Sequence, residues 1–393
     1  LKDAFLGNQK LLSAKSPFFT RWVNAVSLCE SPPYVGKRIA IGSKLVREVK
    51  VMFEIKESVA NGKSVKAAFL VALAALFVVS STPLGAYAAD DTDVLSVEAI
   101  LAFADDPTCV AVNEQTNLVY VGTKEGLVII SGENNTVLSE IAFDKDVGAV
   151  VVNPQNNLVY VGTWSNITVL DGATNAVLGT IEEQVYNYYE LALNPNTNRL
   201  YIGDWTTLRG KCDAVQVYDA LNFSLIATVN IPGSENNTYI QRVGVAVNVN
   251  TNGMYATWTG NDGTYLIDDN NMIVNATQTP LFDVAVMYNN ATDYVYVGGA
   301  VLNGTDLQLV SANFTGQVEA IDAANNLLYT TQGYNVSCLN GTTHDALSSV
   351  KLQVLVWPAL DPMAVNPATS KVYLVDYVSQ QVLVMTRGNS TFP

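Results

Sequence analysis

The sequence predicts an all-β fold, a seven-bladed β-propeller of four-stranded antiparallel blades, and three observations carry that expectation. A unit of about 40 residues recurs along the chain. Every copy opens on a short apolar run, turns at an Asn-rich cluster and re-enters a strand marked by tyrosine. No copy holds the ten or more residues of 3.6-period pattern that a helix needs, which excludes an α-solenoid.

The copies are VAVNEQTNLVYVGT from Val110, VVVNPQNNLVYVGT from Val150, LALNPNTNRLYIGD from Leu191, VAVNVNTNGMYATW from Val245 and MAVNPATSKVYLVD from Met363. Two weaker ones are VAVMYNNATDYVYVGG from Val284 and EAIDAANNLLYTTQ from Glu319. Their marker tyrosines are Tyr120, Tyr160, Tyr201, Tyr255, Tyr296, Tyr329 and Tyr373.

The second copy is the most legible. Val150-Val151-Val152 reads as a strand buried on both faces. Asn153 to Asn157 is a turn, because Asn accepts left-handed backbone angles and Pro154 fixes φ. Leu158 to Val161 is the second strand, Ile167 to Leu170 the third and Ala176 to Ile181 the fourth, with Asp171-Gly172 and Thr174-Asn175 turning between the last two. Four such strands make a blade.

The last copy has no fourth strand, and Val94 to Phe103 (VLSVEAILAF) is expected to supply it and close the ring, removing open sheet edges. The 33 residues between Tyr296 and Tyr329 predict a short or missing outer strand in the fifth blade, around Asn313 to Gly316. The 54 between Tyr201 and Tyr255 place extra loop at Thr206 to Asp213 and Pro232 to Gln241. Long loops on a rigid scaffold are where function tends to sit.

The copies resemble the YVTN β-propeller repeat, with its apolar inner strand, Asn-Pro-x-x-Asn turn, tyrosine strand and V-I-D-x-x-T-N-x-V segment. The match is closest over Val150 to Ile181 and extends over nearly all of Val94 to Arg387. That resemblance implies a surface or surface-layer propeller of archaeal type. Related propellers include lactonase-like hydrolases, so the fold does not by itself separate binder from enzyme.

Export is expected from the N-terminal part. The first methionine is Met52, and residues 1–51 are expected to lie upstream of the mature protein. Residues 52–88 read as a signal peptide: Lys56, Lys63 and Lys66 precede the apolar run Ala67 to Val79, and Ala86-Tyr87-Ala88 offers a cleavage site. The apolar run is short for a bilayer span, although an uncleaved anchor is the alternative. Residues 89–393 then form the secreted or cell-surface propeller, with no membrane insertion of the mature chain.

Residues 90–393 carry 9 Lys+Arg against 31 Asp+Glu, a net charge of −22. Such a field repels phosphate backbones and argues against nucleic acid as a partner. Cys109, Cys212 and Cys338 lie far apart and cannot all pair, so a hydrophobic core must hold the domain.

Eleven Asn-x-Ser/Thr sequons follow the signal, at Asn134, Asn166, Asn222, Asn236, Asn275, Asn290, Asn303, Asn313, Asn335, Asn340 and Asn389. In an exported chain these are glycosylation candidates. Trp164, Trp205 and Trp258 follow their marker tyrosines by three or four residues, Tyr186, Tyr188 and Tyr189 lie in the loop entering the third blade, and Trp357 in that entering the seventh. Together they are candidates for an aromatic contact patch, since flat rings offer contact area at low entropic cost. The alternative is packing between blades.

Signals for chemistry are sparse. His344 is the single histidine and sits in a polar turn, so a Ser-His-Asp arrangement would rest on it alone. No paired cysteines suggest zinc. Glu182-Glu183 reads as a solvated loop, and Asp262, Asp268, Asp269 and Asp283 lack calcium-loop spacing, leaving weak calcium binding at most. The expected function is that of a non-enzymatic surface or secreted binding protein contacting protein or glycan. The alternative is a secreted lactonase-like hydrolase.

Overall fold

The structure, a computed structural model, describes residues 95–182, 190–203, 214–233, 243–260, 262–279, 285–312, 314, 316–352 and 362–387. All of them belong to one compact unit, Tyr87–Pro393. The described residues are β-strands and turns, without a helix.

The first strand is β1 (Leu95–Ala102). Blade 1 follows as β2 (Pro107–Asn113), β3 (Leu118–Thr123), β4 (Gly126–Ser131) and β5 (Val137–Ala142). Blade 2 is β6 (Val147–Asn153), β7 (Leu158–Thr163), β8 (Ile167–Asp171) and β9 (Val177–Ile181). Blade 3 is β10 (Glu190–Asn194), β11 (Arg199–Gly203), β12 (Ala214–Asp219) and β13 (Leu225–Asn230). Blade 4 is β14 (Val243–Asn248), β15 (Gly253–Trp258), β16 (Gly263–Ile267) and β17 (Ile273–Gln278). Blade 5 is β18 (Val286–Asn289), β19 (Tyr294–Val297), β20 (Ala300–Asn303) and β21 (Leu309–Ser311). Blade 6 is β22 (Gln317–Asp322), β23 (Leu327–Gln332), β24 (Asn335–Asn340) and β25 (Ala346–Lys351). Blade 7 holds β26 (Met363–Asn366), β27 (Lys371–Asp376) and β28 (Gln381–Arg387), with β1 hydrogen-bonded to β28 as its fourth strand.

The sheets are antiparallel, and each inner strand packs beside the inner strands of its two neighbours, from β2 through β26 and back to β2. This is a seven-bladed propeller. The fifth blade does have a short outer strand, but it lies at Leu309–Ser311 rather than around Asn313 to Gly316. The third strand there is only four residues long, so the hairpin turns early and two residue pairs suffice. The extra loop at Thr206 to Asp213, and most of that at Pro232 to Gln241, falls outside the described residues.

The repeat owes its signature to contacts between blades. Each turn after an inner strand holds a left-handed residue: Asn117, Asn157, Asn198, Asn252, Asp293, Asn326 and Ser370. Asn and Asp tolerate that backbone region better than other residues with a Cβ. The last residue of the inner strand accepts backbone N–H groups of its own turn, as Asn153 Oδ1 does from Gln155 N at 3.0 Å. Its Nδ2 then donates to the left-handed asparagine of the next blade. Asn113 reaches Asn157 at 2.8 Å, Asn153 reaches Asn198 at 3.1 Å, Asn194 reaches Asn252 at 3.2 Å, Asn289 reaches Asn326 at 3.1 Å and Asn366 reaches Asn117 at 2.8 Å.

The marker tyrosine adds a second tie. Tyr160, Tyr255 and Tyr296 donate to the carbonyls of Ala220, Gly304 and Gly341, in the turn between third and fourth strands of the following blade. Burial raises these phenol pKa values, which keeps the groups protonated as donors. In blades 1, 5 and 6 that turn position is glycine, where a Cβ on Gly132, Gly304 or Gly341 would collide with the side-chain oxygen of Asn117, Asp293 or Asn326, whereas blade 3 holds Ala220 there.

Two junctions are rewired. Between blades 4 and 5 the left-handed residue is Asp293, which takes the Tyr288 hydroxyl at 3.0 Å, and Asn248 turns to the Tyr255 hydroxyl instead, at 2.7 Å. Between blades 6 and 7 the donor is replaced by Asp322, whose carboxylate takes Nδ2 of Asn325 at 2.8 Å.

His344 also belongs to a junction. It occupies the left-handed turn position held by Asn135 and Asn175 in blades 1 and 2 and by Phe223 and Leu307 in blades 3 and 5. Its ring is half-buried, packed edge-on against Phe314 and Tyr296, with Nε2 at 3.2 Å from the Tyr296 hydroxyl. The histidine of the polar turn therefore does lie on a turn, but tucked between blades 5 and 6. Burial pushes its pKa below the ordinary value, while Asp345 opposes that shift. A depressed imidazole pKa means that its contribution to stability is present above the unfolded value of about 6.5 and fades as pH falls below it. Replacement by Asn, the residue that blades 1 and 2 use there, should remove this dependence. Thermal unfolding of both proteins from pH 7.5 to 5 should show a larger decline for the parent chain than for His344→Asn.

Candidate functional face

Inner strands begin, and second strands end, at the same end of each blade. Val147 pairs with Thr163 in blade 2, and Val243 with Trp258 in blade 4. Turns between second and third strands therefore share one face with the connections between blades. The opposite face carries the Asn-rich clasp.

The second-to-third-strand turns of blades 1, 2 and 7 are pinned at their base. Thr163 Oγ1 donates to Asn166, at 3.2 Å to its carbonyl and 3.0 Å to its side chain. Thr123 Oγ1 donates to the carbonyl of Gly126 and accepts the N–H groups of Glu125 and Gly126. In blade 7, Asp376 accepts the N–H of Ser379 at 3.1 Å in the same kind of turn. Trp164 is 40% exposed on blade 2, Tyr334 47% on blade 6 and Tyr377 43% on blade 7.

Between Trp164 and Tyr377 lies blade 1, whose turn carries Lys124. Its Nζ is 2.6 Å from Asp106 and 5.1 Å from the centre of the Tyr377 ring. Asp106 also accepts Gln380 Nε2 at 2.6 Å, and the neighbouring Asp105 accepts the backbone N–H of Glu125 at 2.6 Å. The hydrogen bond from Lys124 holds the Asp106 pKa below its ordinary value, and that bond with Asp106 raises the Lys124 pKa. Both groups stay charged across the physiological range. Asp105, Glu125, Asp144 and Asp146 outnumber Lys124 and Lys145 in the turns around them, leaving this sector acidic.

Of the aromatic candidates, Trp164 is placed as expected. Trp258 is not, because it is the last residue of β15 and only 3% exposed. Its ring packs over Gly260 and belongs to the core between blades 3 and 4. Tyr186, Tyr188, Tyr189, Trp205 and Trp357 lie outside the described residues. Tyr334 and Tyr377 were missed by sequence reasoning. The signal was spacing: Tyr377 follows its marker tyrosine by four residues, as Trp164 does.

The carboxylates considered for calcium do not converge. Asp262 lies on this face, whereas Asp268 caps a turn at the clasp end, accepting N–H groups of Asn270 and Met272, and Asp269 pairs with Arg199 at 2.6 Å. Asp283 falls outside the described residues, and among those described no three His, Cys, Asp or Glu side chains are grouped for a metal. On the inner strands, half-exposed residues such as Ala111, Val151, Ala192, Met287, Ile321 and Ala364 are apolar. The carboxylates Glu190 and Glu319 sit in the non-adjacent blades 3 and 6, and buried Glu319 accepts the Thr331 hydroxyl at 2.6 Å. Cys109 and Cys338 are buried in different blades.

What this face offers chemically is a set of flat, partly exposed rings on short turns, edged by carboxylates. No family model matches the chain, and no curated protein matches it in sequence.

Proposed function

We propose that this protein is an exported, non-enzymatic β-propeller that acts at the cell surface or outside the cell, binding protein or glycan through the face bearing Trp164, Tyr334 and Tyr377. The observation that carries this reading is the sector of three exposed rings on turns of blades 2, 6 and 7, with Lys124 of blade 1 between them. Trp164 and Tyr377, held on anchored turns, lose little freedom on binding, which suits stacking on a sugar or an apolar side chain. The acidic surround disfavours polyanionic partners and leaves neutral glycans or basic protein segments as the better fit. The signal-like stretch over residues 52–88, and the resemblance to YVTN propellers of archaeal surfaces, support location in the envelope or surface layer.

The test has two parts. Native protein isolated from its host without detergent should begin near Ala89 and fractionate with the envelope or the medium; a cytoplasmic chain starting before Met52 would sink the export reading. Binding of the purified propeller to envelope preparations should weaken about tenfold or more in a Trp164→Ala, Tyr377→Ala double variant, because central aromatic anchors carry about 1–3 kcal/mol each. Unchanged thermal stability would assign that loss to contact rather than folding. Equal binding by parent and variant would remove this face from the function.

A further inference from the structure

The fifteen exposed large hydrophobic side chains among the described residues fall into two sets. Four are on second-to-third-strand turns: Trp164, Tyr334, Tyr377 and Val378. The other eleven lie on the outer hairpins of blades 1 to 5. They include the pairs Val137–Leu138, Val177–Leu178, Leu225–Ile226 and Leu309–Val310, together with Met272 and Val274. The repeat thus writes an apolar girdle around the rim of five consecutive blades, in a chain otherwise rich in acidic and amide side chains. Exposed apolar surface on that scale needs a cover in a protein that stays dispersed.

The sequons fall beside it. Asn134 sits in the turn entering Val137–Leu138, Asn222 between Leu221 and Leu225, Asn275 directly after Val274, and Asn303 at the start of the turn leading to Leu309–Val310. None of the eight described sequon asparagines is buried, whereas the inner-strand asparagines that end Asn113, Asn153, Asn194, Asn248, Asn289 and Asn366 strands are. Asn236, Asn313 and Asn389 lie outside the described residues.

Asn134 and Asn222 are the best presented. Each is exposed and followed by a left-handed residue at the hairpin tip, Asn135 or Phe223. In both, the hydroxyl two residues on donates to the asparagine Oδ1, Thr136 at 2.7 Å and Ser224 at 2.5 Å. Asn222 Nδ2 also reaches Asp219 in its own hairpin at 3.0 Å.

We infer that Asn134, Asn222, Asn275 and Asn303 carry N-linked glycans, and that these glycans lie along the outer strands and cover the apolar girdle. The inference rests on the export reading, because the transfer takes place outside the cytosol. In that transfer the side-chain Nδ2 forms a bond to C1 of a sugar, the bond from C1 to the phosphate of a lipid-linked oligosaccharide breaks, and the amide gives up one proton. No oxidation or reduction is involved. Blade 2 is the exception on the rim, since its turn Thr174-Asn175-Ala176-Val177 contains no sequon, and Val177–Leu178 stays bare.

The experiment uses the full chain expressed in its own host. Intact mass and peptide mapping of the envelope protein should show glycan on the Asn134 and Asn222 peptides. Thr136→Ala and Ser224→Ala, which leave both asparagines in place, should each remove one glycan. Enzymatic deglycosylation of the folded parent should raise binding of an apolar dye about twofold or more and shift its sedimentation toward self-association. An exported chain starting near Ala89 with both asparagines unmodified would overturn this inference while leaving export intact. Glycans whose removal changes neither dye binding nor sedimentation would overturn the covering role. A chain retained in the cytoplasm would overturn the export reading and this inference with it.

Discussion

A chain lacking residues 95–102 is expected to lose its cooperative fold. β1 makes seven residue pairs with β28, from Leu95↔Arg387 to Ala102↔Gln381. Leu95 is fully buried in a cluster with Tyr329, Leu374, Leu383 and Met385, and Val97 and Ile100 pack against the same cluster. Their removal exposes that cluster and bares the edge of β28. At about 25 cal/mol per Å² of apolar surface, the loss is on the order of 5 kcal/mol, comparable with the whole stability of many domains. Circular dichroism and urea unfolding of the shortened chain should show a missing or broadened transition, and a synthetic peptide of residues 95–102 added in trans should restore part of it. The milder Leu95→Ala should cost about 2–5 kcal/mol. A shortened chain that unfolds like the parent would refute a structural role for β1.

Asn153→Leu should cost about 2–4 kcal/mol, because the substitution removes two hydrogen bonds at a fully buried site and leaves the Gln155 N–H without its acceptor. Asn153→Asp gives a sharper test of the clasp. The carboxylate keeps the bond from Gln155 N but has no proton to offer Asn198 Oδ1, and two oxygens then face each other in a buried site. Burial raises the pKa of such a carboxyl, and the protonated form regains the donor. The variant should therefore be weakened at pH 7 and recover part of the loss as pH falls toward 5, opposite in sign to the effect at His344. Urea midpoints at the two pH values measure this. The natural Asp322 escapes the penalty through Asn325, which supplies a donor within its own turn.

The propeller was legible because burial on both faces of the inner strands leaves an unbroken apolar run, and because the turns need residues that tolerate left-handed backbone. The purpose of the conserved spacing within the repeat was not. That Asn153 and Asn157 serve different neighbours, or that Tyr160 reaches into blade 3, depends on how adjacent sheets face each other, and one repeat considered alone holds no such information. The aromatic face shows the same limit at the scale of one residue. Trp258 and Trp164 follow their tyrosines by three and four positions; the first still pairs within its strand, opposite Val243, while the second has passed into the turn. Both faces of a second strand stay buried to its last residue, so one position past the strand end separates an exposed ring from a core one. Placement of the fifth outer strand erred because a two-pair hairpin leaves almost no periodic signal.

The pairing of Leu95 with Arg387 sets residues at opposite ends of the described propeller side by side. They stand as the two sides of an ordinary hairpin would, like those joining third and fourth strands in the other six blades. Joining Arg387 to Leu95 by a short turn and opening the chain instead at Thr174-Asn175, in the bare hairpin of blade 2, would give a circular permutant with every sheet pairing retained. Where the polypeptide starts and stops is then a matter of genetic order, and the seven-blade ring has no intrinsic first member.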